Sequence, residues 1–110
     1  MINIEDFAKV DFRVGTITSC ARVEGSEKLY KLSVDFGEGI GVRQILTGLA
    51  PYYNEDELTG LQTIFIANLE PRTMMGLISD GMLVTVGSDH SKRPLLIKLS
   101  GPCENGEGLA

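Results

Sequence analysis

Hydrophobic positions recur with two periods along this chain, and the switches between them mark its elements. Near the start, Ile4, Phe7, Ala8 and Val10 follow helical spacing behind Asn3 and Asp6, which are arranged as a capping box. "IEDFAKV" therefore predicts a short helix. From Val10 the period becomes two, with Val10, Phe12 and Val14 pointing one way and Asp11 and Arg13 the other. At Gly15 the alternation slips, because Ile17 continues on the opposite parity. A glycine there predicts a bulge or sharp bend in a long first strand that runs to about Arg22. "EGSEK" is turn chemistry. Tyr30, Leu32, Val34 and Phe36 then alternate with Lys31, Ser33 and Asp35, the cleanest strand in the sequence. "GEGIG" closes a hairpin into a third strand, "VRQILTG". "PYYNEDEL", opening on Pro51, predicts one or two helical turns. "LQTIFIANL", "GMLVTVG" and "RPLLIKLSG" predict three more strands.

Five or six short strands, a bent first strand and a helix between the third and fourth strands predict an all-β fold with short helices. The layout is that of an OB-fold, a small, partly open five-stranded Greek-key barrel, here with a small C-terminal extension. An SH3-like barrel or a small sandwich stays open on strand count alone. A length of 110 residues allows one core and predicts a single domain over residues 1–110. No internal repeat or linker interrupts it.

One stretch fits neither period. "NLEPRTMMGLISDGMLV", residues 68–84, crowds Asn68, Pro71, Arg72, two glycines and three methionines into one short run. Pro71 fixes φ and cannot continue a ladder, so the chain turns away after Leu69. Gly76 and Gly81 open backbone paths that other residues resist. Asn68 can donate and accept at once, and Arg72 and Ser79 can face solvent. Met74, Met75 and Met82 offer flexible apolar surface for a core or for a flat ligand face. On composition alone, a structured loop whose methionines plug the barrel end is the plainer reading.

Composition narrows the function classes. Hydrophobic residues make up 43% of the chain, a globular value, and no apolar run approaches the ~20 residues of a membrane span. The acidic start lacks the regions of a signal peptide, so a cytoplasmic location is expected. The net charge of −5 argues against indiscriminate nucleic-acid binding. The acid is concentrated at Glu5 and Asp6, at Glu55–Glu57 and in the tail, however, while Lys9 to Arg43 holds 6 basic and 5 acidic residues. A basic face is compatible with that distribution. Cys20 reads as a small strand hydrophobe, and neither it nor Cys103 has a partner at metal-ligand spacing. His90, in "GSDHSKRP", reads as an exposed turn residue. With one histidine no nucleophilic triad can be built, and Gly37, Gly39 and Gly41 fit a hairpin turn better than a phosphate loop, since no helix follows. "NEDEL" lacks the ligand alternation of a calcium loop. No enzymatic activity, cofactor or metal is expected.

Taken together, "VDFRVGTITSCARVEGSEKLYKLSVDFG", "TGLAPYY", "ANLEPRTMMG" and "SDGMLV" resemble the tRNA-binding domain found at the C-terminus of many methionyl-tRNA synthetases, in free-standing tRNA-binding proteins and in separate synthetase beta chains. The similarity runs from "IEDFAKVDFRVG" to the closing "GEGLA". It implies an OB-fold that grips tRNA without reading a particular sequence, a homodimer, and an aminoacyl-tRNA synthetase as a further partner. Matched position by position, it implies tRNA contact by Lys28 and Lys31 of the "KLYKL" strand and by Arg43. It implies the same for Asn68, Arg72, Met75, Ser79 and Met82 of the "NL-P---MG--S-GM" pattern. The chemistry agrees: cations hold phosphate, Asn and Ser bond sugar or base edges, and Met packs beneath a base. Glu70 and Thr73 stand where the family often has Lys, which weakens phosphate attraction. Some relatives are export chaperones, and for them the same apolar face would hold an unfolded chain.

Overall fold

The structure is a computed structural model that describes residues 1–89 and 91–110; His90, read above as an exposed turn residue, lies outside the described residues. In chain order the elements are α1 (Ile4–Ala8), β1 (Phe12–Arg22), β2 (Tyr30–Asp35), β3 (Val42–Thr47), α2 (Glu55–Leu58), β4 (Gln62–Ile66), β5 (Arg72–Met74), β6 (Leu77–Ser79), β7 (Met82–Leu83), β8 (Thr85–Val86) and β9 (Leu95–Leu96).

β1 serves two neighbours in succession. Its first half pairs antiparallel with β4 and its second half with β2, the two ladders meeting at Thr16. With β3 and β7 added, the order is β3-β2-β1-β4-β7, a curled five-stranded antiparallel sheet of OB type. The strand bulges where the register shifts between Ile17 and Ser19, further along than the Gly15 slip predicts. Gly15 has a packing role instead: a Cβ there would lie 2.7 Å from Val34 Cγ1 and 3.0 Å from Phe36 Cε1. The bulge restores inward parity, so that Ile17 and Cys20 are both buried.

The alternation of β2 is borne out, with Tyr30, Leu32, Val34 and Phe36 all buried. They pack with Ile17, Ile45, Leu58 and Phe65, and Phe36 meets Phe65 edge to face at 5.4 Å. The helix expected from Pro51 starts later, at Glu55, where the Glu57 carboxylate accepts the Asn54 N–H at 3.0 Å. α2 is held beneath the barrel by Gly60 N–H to Ile17 O (2.7 Å) and by buried Leu58.

The C-terminal third is more broken than its hydrophobicity predicts. "GMLVTVG" splits into β7, paired with β4, and β8, paired with β9, so one predicted strand joins two sheets. "RPLLIKLSG" contributes only β9. The tail then lies on the edge of β1 that β2 leaves free: Val14 N–H donates to Glu107 O (2.9 Å) and Gly106 N–H to Val14 O (2.7 Å). Asn105 anchors it by accepting from Thr16 Oγ1 (2.8 Å) and Gln62 Nε2 (2.9 Å). At the other terminus the Asn3–Asp6 capping box forms, but Ile4, Phe7 and Val10 remain exposed.

Candidate nucleic-acid interface

Residues 68–84 form a hairpin rather than an irregular loop. β5 pairs with β6 through a two-residue turn in which Met75 (φ 53°) and Gly76 (φ 77°) both take positive φ, the signature of a type I′ hairpin turn. The hairpin docks against β3. Ser79 Oγ accepts the Leu46 N–H (3.0 Å) and donates to Gly81 O (3.1 Å), Gln44 Nε2 donates to Ile78 O (3.0 Å), and the Asp80 N–H donates to Gln44 O (2.8 Å). These bonds bridge the open side of the barrel, between β3 and β7.

Docking aligns the charges. Lys31 lies opposite Leu46 in the β2–β3 ladder, Leu46 is bonded to Ser79, and Ser79 lies opposite Arg72 in the hairpin. A row across four strands thus carries Lys31 at one end and Arg72 at the other. At its turn the hairpin reaches the β1–β2 loop, where Met75 Cε lies 3.5 Å from a Cβ built on Gly25. In that loop Ser26 Oγ accepts the N–H groups of Lys28 (3.3 Å) and Leu29 (3.1 Å), while Lys28 O accepts the Ala50 N–H at 3.1 Å. The loop, the β3–α2 connection, the hairpin tip and the segment after β8 surround a cleft of about 490 Å³. Tyr52, Met75 and Pro94 line it with apolar surface, and Lys28, Lys92 and Asp89 with charge.

The eight candidate residues separate by what their side chains already do. Lys28, Lys31 and Arg72 are exposed, and among the described residues none has an intrachain side-chain partner. Met75 and Met82 are exposed at 56% and 44%. The other three are engaged internally. Asn68 accepts the Asp11 N–H (2.8 Å) and donates to Lys9 O (2.7 Å), fastening the segment after α1 to the end of β4. Ser79 is buried in the bonds just described. Arg43 donates to Ala67 O, lies 3.7 Å from Asp80 Oδ2 and covers the Phe36 ring at 5.9 Å. Tyr52, Lys92 and Arg22 were not singled out by the sequence. "PYY" offers no local signal that Tyr53 is buried while Tyr52 lines the cleft, and Arg22, over the Tyr30 ring at 5.8 Å, looks like any exposed strand cation.

No group of three or more metal-ligating side chains occurs among the described residues. Burial, helped by the Glu55 carboxylate, raises the Cys20 thiol to about 11, and burial likewise raises Tyr30. Neither lines the cleft.

The family model described as "Putative tRNA binding domain" matches residues 12–108. The chain belongs to this tRNA-binding domain family. The domain is 46% identical over 101 residues to a methionine–tRNA ligase of Xanthomonas axonopodis, covering 91% of this chain and 14% of that protein. With the ligase of Clostridium tetani identity is 37% over 105 residues, 96% of this chain and 16% of that one. The tRNA-binding domain thus spans only a small fraction of the curated relatives it matches. Among solved structures, a MetRS-related protein from Pyrococcus horikoshii superposes with a TM-score of 0.91 at 30% identity, covering 100% of this chain and 98% of that one. The chaperone CsaA of Bacillus anthracis superposes with a TM-score of 0.87 at 26% identity, covering 100% and 99%. Among the described residues no helix is long and apolar enough to cross a membrane.

Proposed function

We propose that this chain is a non-catalytic tRNA-binding module, a single domain over residues 1–110, that holds RNA by shape and charge rather than by base sequence. The observation that carries this reading is a set of exposed cations, without side-chain partners among the described residues, in a tRNA-binding domain. Lys28 stands at the cleft, and Lys31 and Arg72 end the row across the docked hairpin. Met75 and Met82 supply apolar contact beside them. Arg43, Asn68 and Ser79 act one step back, holding the surface in shape through their internal bonds.

The module works in the cytoplasm as a homodimer or as an accessory unit of a methionyl-tRNA synthetase, where it adds affinity and local concentration and leaves the chemistry to its partner. The synthetase connection rests on the named relatives. The dimer is supported by exposed Ile4, Phe7, Val10 and Leu109, which line one shallow groove between α1 and the C-terminal tail.

The test is affinity for bulk tRNA at two salt concentrations. Each phosphate contact contributes about 0.7 to 0.9 to the slope of log affinity against log salt. Arg72→Ala should weaken binding and make the slope shallower by roughly one contact; unchanged affinity and slope would remove Arg72 from the site. A chaperone reading of the same surface is favoured by the CsaA likeness and by Ile78, 55% exposed on the same hairpin as Met75. Displacement of tRNA by an unfolded polypeptide, with no salt dependence, would support that reading instead.

A further inference from the structure

We infer that the cleft beside the hairpin tip is a subsite for one unpaired nucleotide of the RNA, with its base against Tyr52 and Met75 and its phosphate on Lys28 and Lys92. The inference rests on the tRNA-binding reading and adds to it two residues, Tyr52 and Lys92, that the resemblance did not carry to the site. The volume of about 490 Å³ falls within the ~300–1,000 Å³ typical of small-molecule pockets and is too small for a duplex. Its composition separates an apolar wall from cations, as a nucleotide does. Tyr52 is half-buried and packed on the core, so the ring is held in place before any ligand arrives. Met75 lines the same cleft from the turn of the hairpin, its Cε next to the β1–β2 loop at Gly25. A fixed aromatic and a polarisable thioether offer apolar surface to a flat ring.

Charge assigns the polar end. The Lys28 ammonium has no intrachain partner among the described residues. Lys92, its side chain 80% exposed, is 4.0 Å from Asp89 Oδ2, an open ion pair that a phosphate can replace at little cost. Asp89 also lines the cleft, but its carboxylate is already engaged, Oδ1 accepting from Ser91 N–H (3.0 Å) and Ser91 Oγ (2.7 Å). An unfolded peptide brings an anion only where it carries a carboxylate, whereas every nucleotide brings a phosphate together with its flat ring, which is why the nucleotide is preferred. Stacking every base alike, the subsite selects unpaired over paired RNA without reading sequence.

The experiment compares affinity for bulk tRNA with affinity for a fully paired RNA duplex of similar length, in the full chain and in Tyr52→Ala, Tyr52→Phe and Lys92→Ala. The wild-type chain should prefer tRNA. Tyr52→Ala should lower tRNA affinity about five- to 100-fold and collapse the preference over duplex, with the salt slope unchanged, while Tyr52→Phe keeps both. Lys92→Ala, at a solvent-exposed position that does not threaten folding, should make the tRNA salt slope shallower by about 0.7 to 0.9. If Tyr52→Ala retains the full preference, or Lys92→Ala retains the full slope, the subsite is overturned while tRNA binding stands. If the wild-type chain does not bind tRNA at all, the broader reading falls and the subsite with it.

Discussion

Glu70 is exposed on the approach to β5, next to Pro71, and among the described residues no ion pair ties it to Arg72. A carboxylate there repels phosphate without repaying the loss by orienting the guanidinium. Glu70→Lys reverses the local charge by two units. It should tighten tRNA binding by roughly three- to thirty-fold at low salt, with the gain shrinking as salt rises. If tRNA affinity stays flat while binding of an unfolded polypeptide changes, the hairpin serves protein rather than RNA. The two cysteines make a sharper contrast of environment. Cys103 is exposed and Cys20 buried, and burial raises the Cys20 thiol from 9.0 to about 11. At pH 8 a thiol reagent should therefore modify Cys103 quickly and reach Cys20 only on unfolding. Since the folded value lies above the unfolded one, the neutral thiol's contribution to stability is complete below about pH 9. It is lost as pH rises from 9.0 through about 11, a decline that urea titrations across that range would follow. Two equally fast thiols in the native protein would contradict the burial of Cys20.

At the scale of elements, what was legible in the sequence was what local periodicity encodes. β2 follows directly from Tyr30, Leu32, Val34 and Phe36, because alternation is a property of the strand itself. The bulge of β1 was displaced because Gly15 answers to Val34 and Phe36 across the core, which no neighbour in sequence announces. Gly15→Ala should accordingly overpack the core and cost about 1 to 3 kcal/mol, measured as a lower urea midpoint; a neutral result would mean that Phe36 yields freely. The candidate site was legible only in part for the same reason. Asn68 and Ser79 have the side chains of ligand-binding residues, but their partners, Asp11, Lys9 and Leu46, lie far away in sequence. The hairpin itself carries a mark of function. Met75 holds φ 53° at a turn position where Asn is favoured, at a cost of about 1 kcal/mol or more. Met75→Asn should raise the melting temperature while weakening tRNA binding. Gain of both stability and affinity would mean that Met75 contributes nothing to the ligand.

At the scale of the molecule, the chain closes some of its own edges and leaves the apolar surface around α1 uncovered. The tail occupies the free edge of β1 within its own chain. Leu109, beyond that pairing, is still 40% exposed, as are Ile4 at 75% and Phe7 at 37%. α1 buries none of its residues, although its capping box is formed. A five-residue helix holding its fold while presenting apolar side chains to water is expensive unless a second surface covers it. The proposed second copy would meet that need, since a two-fold axis near α1 would set each exposed face against its equivalent. Light scattering at micromolar concentration should then report close to twice the 11.9 kDa chain mass. Phe7→Glu should return the chain to a monomer without loss of the barrel, because Phe7 lies outside the main core cluster and its ring stacks on Phe12 at the surface, at 5.7 Å. The same variant should bind tRNA more weakly and with a shallower salt slope, since one RNA would then meet one row of cations instead of two. A wild-type monomer at that concentration would leave α1 without its partner, and full tRNA affinity in a monomeric Phe7→Glu would confine the RNA surface to one chain.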